Sequence, residues 1–133
     1  MNDLRFAVIE PAFGRAFQLA AWNELKGARC VALCNRTRQR AEKLALQFNV
    51  PAIYDDPEEM LAREEPDFID IITDVKSHAQ LVRLAASRRV AVICQKPMAS
   101  SLEESQLMVQ TCREAAVPFF HMKLALANPL RQR

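Results

Sequence analysis

Two periodicities alternate along this chain. Short apolar runs rich in β-branched residues occupy Phe6–Ile9, Cys30–Cys34, Phe68–Ile72, Val90–Cys94 and Val117–Phe120, with a weaker one at Ala52–Tyr54. They show little polar alternation, which is the pattern of strands buried on both faces. Between them apolar residues recur at helical spacing. Ala41, Leu44, Ala45 and Phe48 form one stripe, His78, Leu81, Val82 and Ala85 a second, and Leu102, Ser105, Met108, Val109 and Cys112 a looser third. Helix-start chemistry falls where the helices should begin. Pro11 suits the first position of a first helix, Thr37 caps a second, Asp56-Pro57 opens a short third, Asp74 or Ser77 caps a fourth, and Ser101 with Glu104 forms a capping box for a fifth.

The order β-α-β-α-β-α-β-α-β-α-β predicts an α/β fold. It should be a three-layer, doubly wound parallel sheet in a single Rossmann-like domain over residues 1–133, with right-handed crossovers. Such sheets bind ligands beyond the carboxyl ends of their strands. Function is therefore sought at Glu10–Gly14, Cys34–Arg38, Thr73–His78, Gln95–Met98 and His121–Leu124.

Composition narrows the classes. With 133 residues, 50% of them hydrophobic and 26% charged, the chain suits one domain with a sizeable core. The net charge of +2 gives no reason to expect nucleic acid or an anionic membrane surface as partner. No apolar run approaches the ~20 residues of a membrane span. The opening Met1-Asn2-Asp3-Leu4-Arg5-Phe6 does not read as a secretory leader, so a cytoplasmic location is expected. Cys30, Cys34, Cys94 and Cys112 show no CxxC or zinc-type spacing, and no metal site is expected. They read as buried thiols in a reducing compartment, with Cys30 and Cys34 on one face of their strand and too far apart to bridge.

The first strand-to-helix turn carries an unusual sequence. A dinucleotide fold expects G-x-G-x-x-G here, glycines that let backbone approach a pyrophosphate. The segment reads Glu10-Pro11-Ala12-Phe13-Gly14-Arg15, so Glu10, Ala12 and Arg15 fill the three glycine positions and Gly14 is the glycine that remains. Ala12 adds a methyl where phosphate presses on backbone, Pro11 removes a donor, and the Glu10 carboxylate repels an anion. This predicts weakened or lost cofactor binding. After the second strand, Asn35-Arg36-Thr37-Arg38 lacks the usual ribose-binding acid, and its two arginines favour NADP over NAD.

Three further stretches carry a resemblance. Asp67-Phe68-Ile69-Asp70-Ile71-Ile72-Thr73-Asp74, Ser77-His78-Ala79 and Val92-Ile93-Cys94-Gln95-Lys96-Pro97-Met98-Ala99, with Asn35-Arg36-Thr37 and Tyr54–Leu61 beside them, resemble the N-terminal domain of the Gfo/Idh/MocA oxidoreductases. The resemblance covers essentially the whole chain and implies the strand order 3-2-1-4-5-6. It implies a domain that binds NAD or NADP in enzymes that oxidise or reduce sugars, cyclitols and related carbinols. Lys96 would hydrogen-bond the reacting hydroxyl, Pro97 would sit in a cis or tight turn, and Thr73 and His78 would line the cofactor groove. Gln95 stands where glutamate is commoner. The cofactor-contact set implied in full is Glu10, Ala12, Phe13, Gly14, Asn35, Arg36, Thr73, His78, Gln95, Lys96 and Pro97. Family members continue into a second, substrate-binding domain that carries the acid and histidine of proton transfer. This sequence ends near the close of the first domain, which implies an incomplete dehydrogenase site.

Other readings stay open. Lys76, Lys96, His121 and Lys123 gather with Glu10 near the strand ends, where a lysine lowered in pKa by neighbouring cations can act as a nucleophile. Cys34 and Cys94 also end strands, although sequence alone fixes no histidine beside either. The alternatives to a cofactor domain are thus a repurposed or engineered Rossmann scaffold with a lysine- or cysteine-based site on the rim, and a non-catalytic module that dimerises. The apolar tail Leu124-Ala125-Leu126-Ala127 suggests a homodimer or a self-capping segment.

Overall fold

The structure is a computed structural model that describes residues 3–10, 22, 24 and 26–122, with the backbone alone at 121 and 122. The expected first helix from Pro11 and the tail from Lys123 lie outside the described residues. The elements run β1 Leu4–Ile9, β2 Ala28–Cys34, α1 Arg38–Phe48, β3 Ala52–Tyr54, α2 Pro57–Glu64, β4 Phe68–Ile71, α3 Val75–Ser87, β5 Ala91–Gln95, α4 Leu102–Glu114 and β6 Phe119–Met122. The six strands form one sheet in the order β3-β2-β1-β4-β5-β6. Every neighbouring pair is parallel, as the alternation of strand and helix predicts.

Both faces of the sheet are covered. On one, Phe6, Val8 and Leu33 pack with Ala45 and Phe48 of α1 and with Trp22. On the other, Ala7, Ile9, Ile69, Ile71, Val92 and Cys94 pack with α2, α3 and α4 through Met60, Val82 and Met108. Those central positions carry apolar side chains on both faces because neither face meets water.

One expectation about β2 is corrected. Phe6 of β1 pairs with Cys30, but Ala7 pairs with Ala32, so Val31 is an extra residue in β2. This bulge puts Val31 and Ala32 into the same core layer and reverses the alternation before it. Cys30 therefore packs beside Phe6 and Val8 while Cys34 packs with Ile9 on the opposite face. Strict period-two counting had put the two cysteines on one face. All four cysteines are free thiols, and all but Cys30 are buried.

The helix starts divide into real and nominal caps. Asp56 Oδ1 accepts from Glu58 N at 3.0 Å, and Ser101 Oγ accepts from Glu104 N at 3.1 Å. Thr37 and Asp74 occupy the cap position with extended backbone but make no side-chain cap bond. Ser77 instead donates to Asp74 Oδ1 at 2.7 Å. Ser101→Ala should therefore cost about 1 kcal/mol in denaturant unfolding, whereas Thr37→Ala should fall within a few tenths of a kcal/mol of the parent.

Candidate functional site

In the order β3-β2-β1-β4-β5-β6 the chain builds outward one way from β1 to β3 and the other way from β4 to β6, so β1 and β4 flank the point where the strand order reverses. A groove of about 930 Å³ opens there, walled by Glu10, Asn35, Arg36, Asp55, Thr73 and Asp74 among others. That is the size of a cavity able to hold a cofactor-sized molecule.

Glu10 follows β1 directly. Its N–H donates to Cys34 O at 2.9 Å, which continues the sheet by one residue and draws the side chain inward. The residue is 4% exposed, and among the described residues its Oε1 has no hydrogen-bond partner. Burial raises its pKa to about 7, against the opposing pull of the Arg40 guanidinium.

The β2 end is built by Asn35, whose Oδ1 accepts from Thr37 N at 2.9 Å and whose N–H donates to Tyr54 O at 2.9 Å. This turn leaves Arg36 on the groove wall. Arg38 does not join it. Its Nε lies 3.5 Å from Glu42 Oε1 within α1. Of the expected pair, Arg36 alone lines the groove, faced by Asp55, Asp56 and Glu58, and Arg83 of α3 lines it as well.

The β4 and β5 ends are tied together by His78. It is 1% exposed, with Nε2 2.9 Å from Thr73 O and Nδ1 3.1 Å from Met98 O and 3.2 Å from Cys94 Sγ. The structure places His78 behind the groove rather than on its wall. The ring reaches the groove only through Thr73, because α3 turns its apolar stripe, with the imidazole in it, toward the sheet. The Lys96–Pro97 peptide is cis. Lys96 is exposed at the end of β5, and Lys76 is exposed in the first turn of α3.

A second buried acid lies deeper. Asp70, in mid-β4, is fully buried and accepts from Trp22 Nε1 at 2.8 Å and from Gln95 Nε2 at 2.8 Å. Burial raises its pKa and the two donors lower it, with burial the larger effect. The role of Asp70 was missed at the level of sequence. A lone acid within an apolar strand, with a tryptophan elsewhere to satisfy, was the available signal.

The cysteines do not form a nucleophilic site. Cys34 and Cys94 are buried and burial pushes both thiols up to about 12, so neither is a thiolate near neutral pH. His78 does stand beside Cys94, but in a closed core with no access for substrate. Ala12, Phe13, Gly14 and Lys123 lie outside the described residues, as does the side chain of His121, so the expected lysine rim is described only at Lys76 and Lys96. Among the described residues no cluster of His, Cys, Asp or Glu could hold a metal ion, and no helix is long and apolar enough to cross a membrane.

Comparison with known proteins agrees with this architecture. Residues 4–122 match the oxidoreductase family with an NAD-binding Rossmann fold named for Gfo, Idh and MocA. The chain belongs to that family. It is 40% identical over 132 residues to a D-apiose dehydrogenase of Rhizobium rhizogenes, covering 98% of this chain and 38% of the relative. It is 30% identical over 102 residues to D-xylose 1-dehydrogenase (NADP(+)) 2 of Haloferax volcanii, covering 77% of this chain and 31% of the relative. Among solved structures, an oxidoreductase from Agrobacterium radiobacter in complex with NAD+, L-tartaric acid and magnesium superposes with a TM-score of 0.83 at 36% identity, over 90% of this chain and 35% of that one. The chain thus spans well under half the length of these relatives.

Glu10 generates a stability prediction. Its folded pKa of about 7 exceeds the ordinary 4.5, so between those values the folded state holds more protons than the unfolded one. Stability contributed by this group is complete below about pH 4.5 and is lost as pH rises through 7, by up to about 3 kcal/mol. In urea titrations, Glu10→Gln should flatten the fall in stability between these pH values. An unchanged slope would place the carboxyl in water.

Proposed function

We propose that this chain is the dinucleotide-binding part of an NAD(P)-dependent dehydrogenase of a small polyhydroxy substrate, and that it holds its dinucleotide more weakly than a glycine-bearing turn would. The observation that carries this reading is the switch-point groove lined by a buried acid, Glu10, whose Oε1 has no partner among the described residues. The family and the groove's position argue for a dinucleotide, and the relatives named for apiose and xylose argue for a sugar-like carbinol.

The residues present fit the cofactor in part. Asn35, Arg36 and Thr73 offer the adenosine half a polar, preformed wall. At the pyrophosphate position an ionised Glu10 does not fit, because two anions would share a site poor in water. A protonated Glu10 does fit, since it adds a donor and no charge. When bound, the nicotinamide supplies a hydride acceptor for the carbinol carbon. Lys96, by its place in the family, would hydrogen-bond the reacting hydroxyl, and the His78 contacts with Thr73 and Met98 hold that turn in place.

Arg36 supports NADP as the preferred form, since a guanidinium suits a 2′-phosphate. The facing Asp55, Asp56 and Glu58 keep that preference small.

Two titrations test the reading, each following quenching of the single tryptophan or the fluorescence of the reduced cofactor. Combining Glu10→Gly with Ala12→Gly should tighten NADPH and NADH by about tenfold or more, ~1.4 kcal/mol. A double variant that binds no better than the parent would refute the assigned role of the turn. Separately, Arg36→Ala should weaken NADPH by about tenfold while leaving NADH within about twofold. Equal losses for both would remove the assignment to NADP.

A further inference from the structure

Glu10 is buried as thoroughly as a core residue and lines a ligand-sized groove, yet its Oε1, itself buried, has no hydrogen-bond partner among the described residues. A buried acceptor without a donor is costly, and a native chain that retains one has usually left room for a partner. The position limits what that partner is. It lies where the chain leaves β1, between the ends of β2 and β4, and is the point in this fold at which a dinucleotide's phosphates pass closest to backbone.

We propose that Glu10 makes filling of this groove proton-coupled: a phosphate-bearing ligand enters together with one proton, which sits on the Glu10 carboxyl and is donated in a hydrogen bond to a phosphate oxygen. The proposal rests on the dinucleotide reading above and adds its regulation. The step balances simply, with protein, ligand and one proton on one side and the protonated complex on the other. No covalent bond is made or broken beyond the O–H of the acid.

The surroundings decide which proton state is available. From β2, Cys34 faces Glu10 and burial keeps it a neutral thiol, as it does Cys30. From β4, Asp70 is itself buried and already bonded to Trp22 and Gln95. From α1, Arg40 favours the charged form of Glu10. Around the groove, Asp55, Asp56, Glu58 and Asp74 disfavour it, while Arg36 and Arg83 favour it. Desolvation outweighs Arg40 and sets the midpoint at about 7, so the carboxyl is half protonated near neutrality and a phosphate-bearing ligand need supply little energy to complete its protonation.

The test uses NADH, whose phosphates do not titrate near neutrality, with the chain as it stands. Calorimetry in two buffers of different ionisation enthalpy counts protons directly and needs no variant. We expect net uptake of up to one proton per NADH bound, and a dissociation constant that rises roughly tenfold per pH unit above neutrality. Glu10→Gln should bind NADH with no such dependence and no uptake. Real binding by the parent that is flat with pH and takes up no proton would overturn the proposal and leave the dinucleotide reading intact. Uptake that persists in Glu10→Gln would overturn the proposal by assigning the proton elsewhere. Failure of a folded Glu10→Gln, or of Glu10→Gly should the first not fold, to bind NADH at any pH would overturn the dinucleotide reading and the proposal with it.

Discussion

A carboxyl group in the middle of a parallel sheet cannot reach water, and Asp70 solves that problem with two donors drawn from opposite directions. Trp22 reaches it at 2.8 Å from the segment that precedes β2, and Gln95 reaches it at 2.8 Å from the end of β5. Because an unpaired buried acid is so costly, both donors must arrive together. The indole is then fixed against Phe6 and Phe68, with ring centroids 4.9 and 5.4 Å away. The Gln95 side chain is fixed one residue before the Lys96–Pro97 turn. One acid thus joins the aromatic packing under β1 to the turn that carries Lys96.

His78 performs the matching task on the other face of the sheet. It joins the Thr73 carbonyl after β4 to the Met98 carbonyl after the Lys96–Pro97 turn. Asp70 and His78 together grip that turn from both sides of the sheet, so the position of Lys96 depends on packing in two separate core clusters. A change in either cluster should reach Lys96 without touching it, because side chains in a close-packed interior move only in company.

The strands were legible because both faces of the sheet are buried, which writes each as a continuous apolar run, while their order came from the family resemblance. What the runs did not show was the bulge at Val31. An extra residue in an all-apolar strand changes no letter from apolar to polar, so the switch of Cys30 to the other face leaves no trace in composition. The groove was legible at Glu10, Asn35, Arg36 and Thr73, since strand ends are set by the runs before them. It was illegible at His78 and Arg38. A histidine on an apolar stripe reads alike whether it faces a ligand or a carbonyl, and an arginine one turn into a helix finds Glu42 four residues on before it finds a groove.

The two buried acids also explain each other. The side chain at position 95 is matched to Asp70 by donating to it. A glutamate 2.8 Å from that carboxyl would set two acids against each other, and one would have to stay protonated. The amide removes the conflict by donating. Glu10 meets no such donor among the described residues, so its conflict stays unresolved in the folded chain. Asp70 lies where the chain completes its own hydrogen bonding and serves position. Glu10 lies where the bonding is left incomplete, at the wall of the groove, and that is where a ligand has something to add.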